Sequence, residues 1–134
     1  MDRLPLRTSE AVVSLLSPLG SGDLVTASLH TALDGLATRQ GVIADNIANV
    51  DTPGFRASSV QFEDNLLAAI RDGRAGGPVP VTVTATDTPV GANDNNVDLR
   101  KETLAAMQTQ FQFQMAGRAA TDHFELIRTT AAAS

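Results

Sequence analysis

The side chains in this sequence that could do chemistry are few, and most are carboxylates. Asp45 with Asp51, or Glu63 with Asp64, could in principle supply the acid and base that cleave a glycosidic bond. That reaction needs one carboxyl raised in an apolar cleft opposite the other, and the flanking residues offer no such cleft. His30 and His123 both fall in stretches of helical period and make no metal motif, so each reads as a surface or internally satisfied histidine. Asn93, Asp94, Asn95, Asn96 and Asp98 concentrate oxygens as a calcium loop does. The glycine and terminal glutamate of an EF-hand loop are missing, however, and a capping turn is the better reading. Without cysteine there is no thiolate nucleophile, no cysteine-ligated zinc and no disulfide framework. Neither a metal nor a cofactor is indicated.

The elements that would have to position these groups are aliphatic. The chain has 134 residues, 43% hydrophobic but only 4% aromatic, with five Phe and no Trp or Tyr. Burial in this one-domain length therefore rests on Leu, Ile, Val and Ala stripes. A net charge of -5 and a single lysine, Lys101, leave no basic footprint for neutralising phosphates, which argues against nucleic acid. The longest charge-free runs, between Ala11 and Asp23 and from Thr103 to Gly117, are too short or too rich in Ser, Thr and Gln to span a membrane. Residues 1–10 lack the regions of a cleavable secretory signal, so export, if it occurs, is expected to use another route.

Periodicity divides the chain into four segments. In residues 22–50, Leu29, Leu33, Leu36, Ile43, Ile47 and Val50 follow steps of four and three with Gln40 as the polar interruption, predicting a helix of roughly 40 Å with a heptad-like seam. It should end at Asn46 and Asn49, which tolerate left-handed backbone, before Thr52-Pro53-Gly54 turns the chain and delivers Phe55. Residues 51–96 are acidic and rich in Gly, Pro, Asn and Thr. They should hold a short helix over 61–71 and an edge strand in which Val79, Val81, Val83 and Ala85 alternate with Pro80 and threonines. In 97–134, opened by Asn96, Val97 and Asp98 with Asn96 as the expected N-cap, a second long helix carries Phe113, Phe124 and Ile127 on one face. Leu104, Met107, Phe111 and Met115 make a second stripe. Residues 1–21 contain Val12, Val13, Leu15, Leu16 and Leu19 and are expected to form a short helix ordered by partners, separated by a break at Ser17-Pro18-Leu19-Gly20.

The predicted fold is thus mainly α, with long N- and C-terminal helices forming an antiparallel coiled-coil-like pair around a loop-rich middle. A pair of helices covers each seam on one side only. Completing the burial requires other copies or other subunits, and association through two different faces generates rings or open helical polymers. About half of the seam of Leu29, Leu33, Leu36, Ile43, Ile47, Phe113, Phe124 and Ile127 should meet the same chain, and the rest its neighbours.

Two stretches resemble a known family. Ala32-Leu33-Asp34-Gly35-Leu36 through Arg39-Gln40, with Asn46-Ile47-Ala48-Asn49-Val50-Asp51-Thr52-Pro53-Gly54-Phe55-Arg56, is similar to the N-terminal signature of the flagellar rod and hook axial proteins. Asn96-Val97-Asp98-Leu99 and the helix that follows look like the C-terminal half of the proximal rod subunits of that family. The resemblance implies a non-enzymatic axial component of the bacterial flagellar basal body, exported by the flagellar type III apparatus and polymerised in the periplasm as a hollow rod. It implies as partners the other proximal rod proteins, the rod-to-MS-ring adaptor, the MS ring, the flagellar export gate and copies of itself. Within that reading Asn46, Asn49, Thr52, Pro53, Gly54 and Phe55 are the signature turn, in which Pro53 and Gly54 fix the exit angle of the first helix and Phe55 packs into a neighbouring subunit or back onto the helix pair. Gln40, Gln108, Gln110, Gln112 and Gln114 form a neutral face that is either solvated or channel-lining. A monomeric helical adaptor or export chaperone is the alternative, although a chaperone does not need the Thr52-Pro53-Gly54-Phe55 turn.

Overall fold

A computed structural model describes residues 21–134. The chain order is α1 (Ser21–Ala48), β1 (Ser58–Gln61), α2 (Glu63–Arg71), β2 (Thr82–Ala85) and α3 (Leu99–Ala132). The expected mainly helical architecture is present, with a two-stranded antiparallel sheet in the middle. The short helix expected within residues 1–21, and its break, lie outside the described residues.

α1 and α3 run antiparallel along each other. Near the start of α1, the His123 ring N–H donates to the Gly22 carbonyl at 3.1 Å. Midway, Gln40 Nε2 donates to Gln110 Oε1 at 2.8 Å, so the polar interruption of the first seam is met by a polar side chain of α3. Near the end, Ile43 and Ile47 share an apolar groove with Ala106 and Met107. Leu29 and Leu33 face Ala120 and Phe124 across a small apolar cavity.

The remaining core forms where the middle segment lies on α1. Leu36, Val60 and Phe62 are buried together, with Val42, Leu66, Val81, Phe113 and Ala116 packed around them. β1 pairs with β2 in the register Ser58↔Ala85 to Gln61↔Thr82. β1 was not expected, because its four residues carry no long alternation and their pairing partner comes some twenty residues later. β2 is shorter than the alternating run that predicted it. Val79 and Val81 are half-buried, but all four residues of β2 are exposed, so the expected half-buried face stops where the strand begins.

Two terminus assignments differ from expectation. Asp98, not Asn96, caps α3: its carboxylate accepts from the backbone N–H groups of Arg100 and Lys101 at 3.0 and 3.1 Å. Asn96 is instead buried and used in a tertiary contact. Neither Asn46 nor Asn49 adopts a left-handed backbone; in that turn only Gly54 does, at φ +74°. Asn46 belongs to α1, and the helix ends because Asn49 N–H is shared between the Asp45 and Asn46 carbonyls and further three-residue turns follow. No helix among the described residues is long and apolar enough to cross a membrane.

Candidate functional site

The turn after α1 is built from asparagine side chains that replace missing backbone partners. Asn46, 1% exposed, accepts from Ser58 N–H at 3.1 Å and donates to the Ser58 carbonyl at 2.7 Å. It thus pairs with the free edge of β1 as a neighbouring strand would. Arg39 completes that edge, donating Nη2 to the Val60 carbonyl at 2.9 Å. Asn95 donates to the carbonyls of Asn49 and Thr52, both at 2.8 Å, and its own oxygen accepts from Val97 N–H at 2.7 Å. Asn96 accepts from Ala57 N–H at 2.6 Å and donates to the Thr88 carbonyl at 3.3 Å.

Each amide satisfies buried backbone groups that would otherwise be unpaired. Together they tie the exit of α1 to the entry of α3. Gly54 N–H donates to the Asn93 carbonyl at 3.1 Å, and Arg56 bonds both the carbonyl and the carboxylate of Asp94, the latter at 2.7 Å. Asp94 itself sits at φ +60°. The oxygens that faintly resembled a calcium loop are therefore largely engaged with N–H donors.

The six residues of the expected turn fall in one place but do different things. Asn46 is a buried clamp. Asn49 accepts from the Thr52 hydroxyl at 3.1 Å and donates to the Asp45 carbonyl at 2.8 Å. Thr52, Pro53 and Gly54 are exposed. Phe55 is half-buried and lines a shallow cleft with Val42, Asn46 and Val83, so it leans back on its own chain. Val97 is half-buried beside Asn95 and Asn96.

Three contributors were not anticipated as site residues: Gly35, Arg39 and Asn95. The Phe62 ring lies directly on Gly35, with the Arg39 guanidinium 4.9 Å from its centroid. A glycine in the interior of a strongly periodic helix is the signal that could have marked this close approach.

Arg39 also pairs with Glu63 at 2.6 Å. Partial burial alone would raise the Glu63 carboxyl. The Arg39 guanidinium and the backbone N–H groups of Phe62 and Glu63 outweigh it and hold the carboxyl below the ordinary value of 4.5. Glu63 is thus the opposite of the proton-holding acid that sugar hydrolysis would require, and Asp45, Asp51 and Asp64 are exposed. His30 is exposed, whereas His123 is satisfied by Gly22.

The apolar seam divides in two. Leu36 and Ile43 are buried within the subunit, while Leu29, Leu33, Ile47 and Phe113 are half-buried between its own elements. Phe124 and Ile127 remain exposed. On the far side of α3, Leu104, Met107, Phe111 and Met115 are 57%, 66%, 62% and 58% exposed. Spaced by three and four, they form one continuous apolar stripe that no described part of the chain covers.

A family model described as flagella basal body rod protein matches residues 28–56, the stretch holding Gly35, Arg39, Asn46 and the turn. The chain is 32% identical over 114 residues to the flagellar basal body rod protein FlgB of Bacillus subtilis, covering 76% of this chain and 88% of that one. It is 29% identical over 119 residues to FlgB of Borreliella burgdorferi, covering 73% and 88%. It is also 32% identical over 85 residues to the flagellar basal-body rod protein FlgG of Bacillus subtilis, covering 61% of this chain and 32% of that relative.

Proposed function

The chain belongs to the flagellar basal-body rod proteins, of the FlgB type, and from that premise we propose that it polymerises through its long helices into the hollow proximal rod. It is a structural component of the flagellum, and its neighbours include other rod proteins. The proposal extends to export by the flagellar type III apparatus, assembly in the periplasm, and contacts with the MS ring, the rod-to-MS-ring adaptor and the export gate. In that setting Leu29, Leu33, Ile47, Phe113, Phe124 and Ile127 serve both the helix pair and its neighbours, and the Pro53-Gly54 turn sets the angle at which the middle segment leaves the tube wall.

The observation that carries the reading is the uncovered Leu104–Met107–Phe111–Met115 stripe. Fully burying a side chain of this size contributes roughly 1.5–3 kcal/mol, so covering the exposed half of four of them would supply several kcal/mol of association energy. The described part of a single chain leaves that face uncovered.

The test is Met107→Gln with Phe111→Gln. Glutamine is a good helix former, so the circular dichroism spectrum and secretion of the subunit should be preserved. Cells carrying only this variant should be non-motile, and their purified basal bodies should lack the subunit. Normal swimming would overturn the reading. A native chain whose helicity is independent of concentration would favour a monomeric adaptor or chaperone instead.

A further inference from the structure

Beside the stripe, a cleft of about 240 Å³ opens between α1, β1 and α3. We infer that it receives a basic side chain, arginine or lysine, from a neighbouring rod subunit, with Glu102 as the group that binds the charge; this rests on the assembly reading above.

Glu102 lines the cleft and is 5% exposed, yet none of the ion pairs among the described residues includes it. Among the described residues, no side-chain oxygen sealed from solvent lacks a hydrogen-bond partner. What accessibility the Glu102 carboxylate keeps is therefore toward the cleft. The two cations that also line it are engaged elsewhere. Arg39 is held by Glu63, the Val60 carbonyl and the Phe62 ring, and Lys101 Nζ donates to the Thr88 hydroxyl at 3.3 Å.

A carboxylate on so nearly buried a side chain, in no ion pair among the described residues, is stabilised by a cation that enters the cleft and pairs with it directly. A guanidinium suits the site best. Its planar fork can meet the carboxylate with two N–H groups, and its remaining N–H groups face oxygen acceptors on Ser59, Gln108 and Gln112. A chain of net charge -5 also attracts basic partners before contact.

The position argues for a protein-borne ligand. At 100° per residue, Gln108 and Gln112 lie on α3 between the face of Glu102 and the Leu104–Met115 stripe. A subunit covering the stripe passes along that rim, where a long basic side chain can turn inward.

The test titrates the ¹⁵N-labelled chain with Nα-acetyl-arginine amide and, separately, with the neutral isostere Nα-acetyl-citrulline amide, following amide shifts. Arginine should give saturable shifts at Glu102, Thr109 and Gln112, with citrulline at least tenfold weaker and Glu102→Gln weakening arginine to the same degree. Equal responses to the two compounds, or none, would overturn the inference whatever the chain assembles into. Should Glu102→Gln unfold the chain, the arginine and citrulline comparison on the unaltered protein decides alone. In cells whose only copy is a folded Glu102→Gln variant, incorporation into basal bodies should fall. Arginine-selective binding with undiminished incorporation would overturn the assignment of the ligand to a rod neighbour.

Discussion

Alanine at Gly35 should weaken the subunit, while alanine at Gly41, in the same helix, should strengthen it. A Cβ at Gly35 would lie 2.6 Å from Phe62 Cγ and 2.7 Å from each Cδ; at Gly41 it would meet nothing within 4 Å. Carbon atoms sit best about 3.5–4.0 Å apart, so the ring would have to retreat by about 1 Å. Its surroundings resist that movement. Phe62 is buried with Leu36 and Val60, and the Arg39 guanidinium beside it is anchored to the Val60 carbonyl and to Glu63. Replacing a helical glycine by alanine is worth about 0.8–1 kcal/mol in propensity at either position. Overpacking costs roughly 1–3 kcal/mol, and only at Gly35. The difference between the two variants therefore isolates the clash at about 1–3 kcal/mol, with Gly35→Ala less stable than Gly41→Ala. Urea unfolding followed by far-ultraviolet circular dichroism at one fixed protein concentration measures it. Equal stabilisation of both variants would refute the argument that Phe62 is locked against α1.

Three further outcomes follow from the same contacts. Asn46→Ala leaves the Ser58 N–H and carbonyl without their α1 partner and should cost about 1–3 kcal/mol in urea unfolding, with faster amide exchange at Ser58. Glu63 has a depressed folded pKa, so its contribution is complete above the ordinary value of 4.5 and is lost as pH falls through the lower folded one. Because its side chain is 53% exposed, Glu63→Gln should cost less than about 1 kcal/mol at neutral pH and flatten the acid limb of melting temperature against pH. Pro53→Ala, at an exposed position in a turn held by Asn95, should reduce stability by no more than about 1 kcal/mol. It should nevertheless lower incorporation into basal bodies more than secretion, as comparison of the two fractions by immunoblot would show.

The helices were legible because their signals are local: Leu and Ile spacing, a Pro-Gly stop, and a cap within the first turn. The pairing of Gln40 with Gln110 was not read from the sequence, where both counted among glutamines of a solvated or channel-lining face. The junction was less legible because an asparagine amide says nothing about which backbone group it will reach. Asn95 bonds carbonyls more than forty residues away, and Asn46 reaches a strand with little propensity of its own. Asn96 and Asp98 are both good caps by residue type. Only the return of the chain past Ala57 decides that Asn96 is used there and leaves the helix to Asp98. Sequence also could not say which seam residues are spent internally, since Leu36 and Phe124 obey the same period with opposite exposure.

That division separates folding from assembly in a measurable way. Gly35, Arg39, Asn46 and Asn96 act within one chain, so their loss lowers stability by an amount independent of protein concentration. The Leu104–Met115 stripe faces away from α1, apart from Met107, which borders the groove with Ile43 and Ile47, and no described part of the chain covers it. Polar residues there should leave dilute unfolding unchanged and remove only the part of stability that grows with concentration. The stretch matched by the family model contains Gly35, Arg39 and Asn46, whereas the Leu104–Met115 stripe lies outside it on α3. The first set therefore makes the subunit, and under the proposed function the second makes the polymer. Unfolding curves recorded at two widely separated concentrations distinguish them: substitutions at Gly35 or Asn46 should displace both curves equally, and Met107→Gln with Phe111→Gln should displace only the concentrated one.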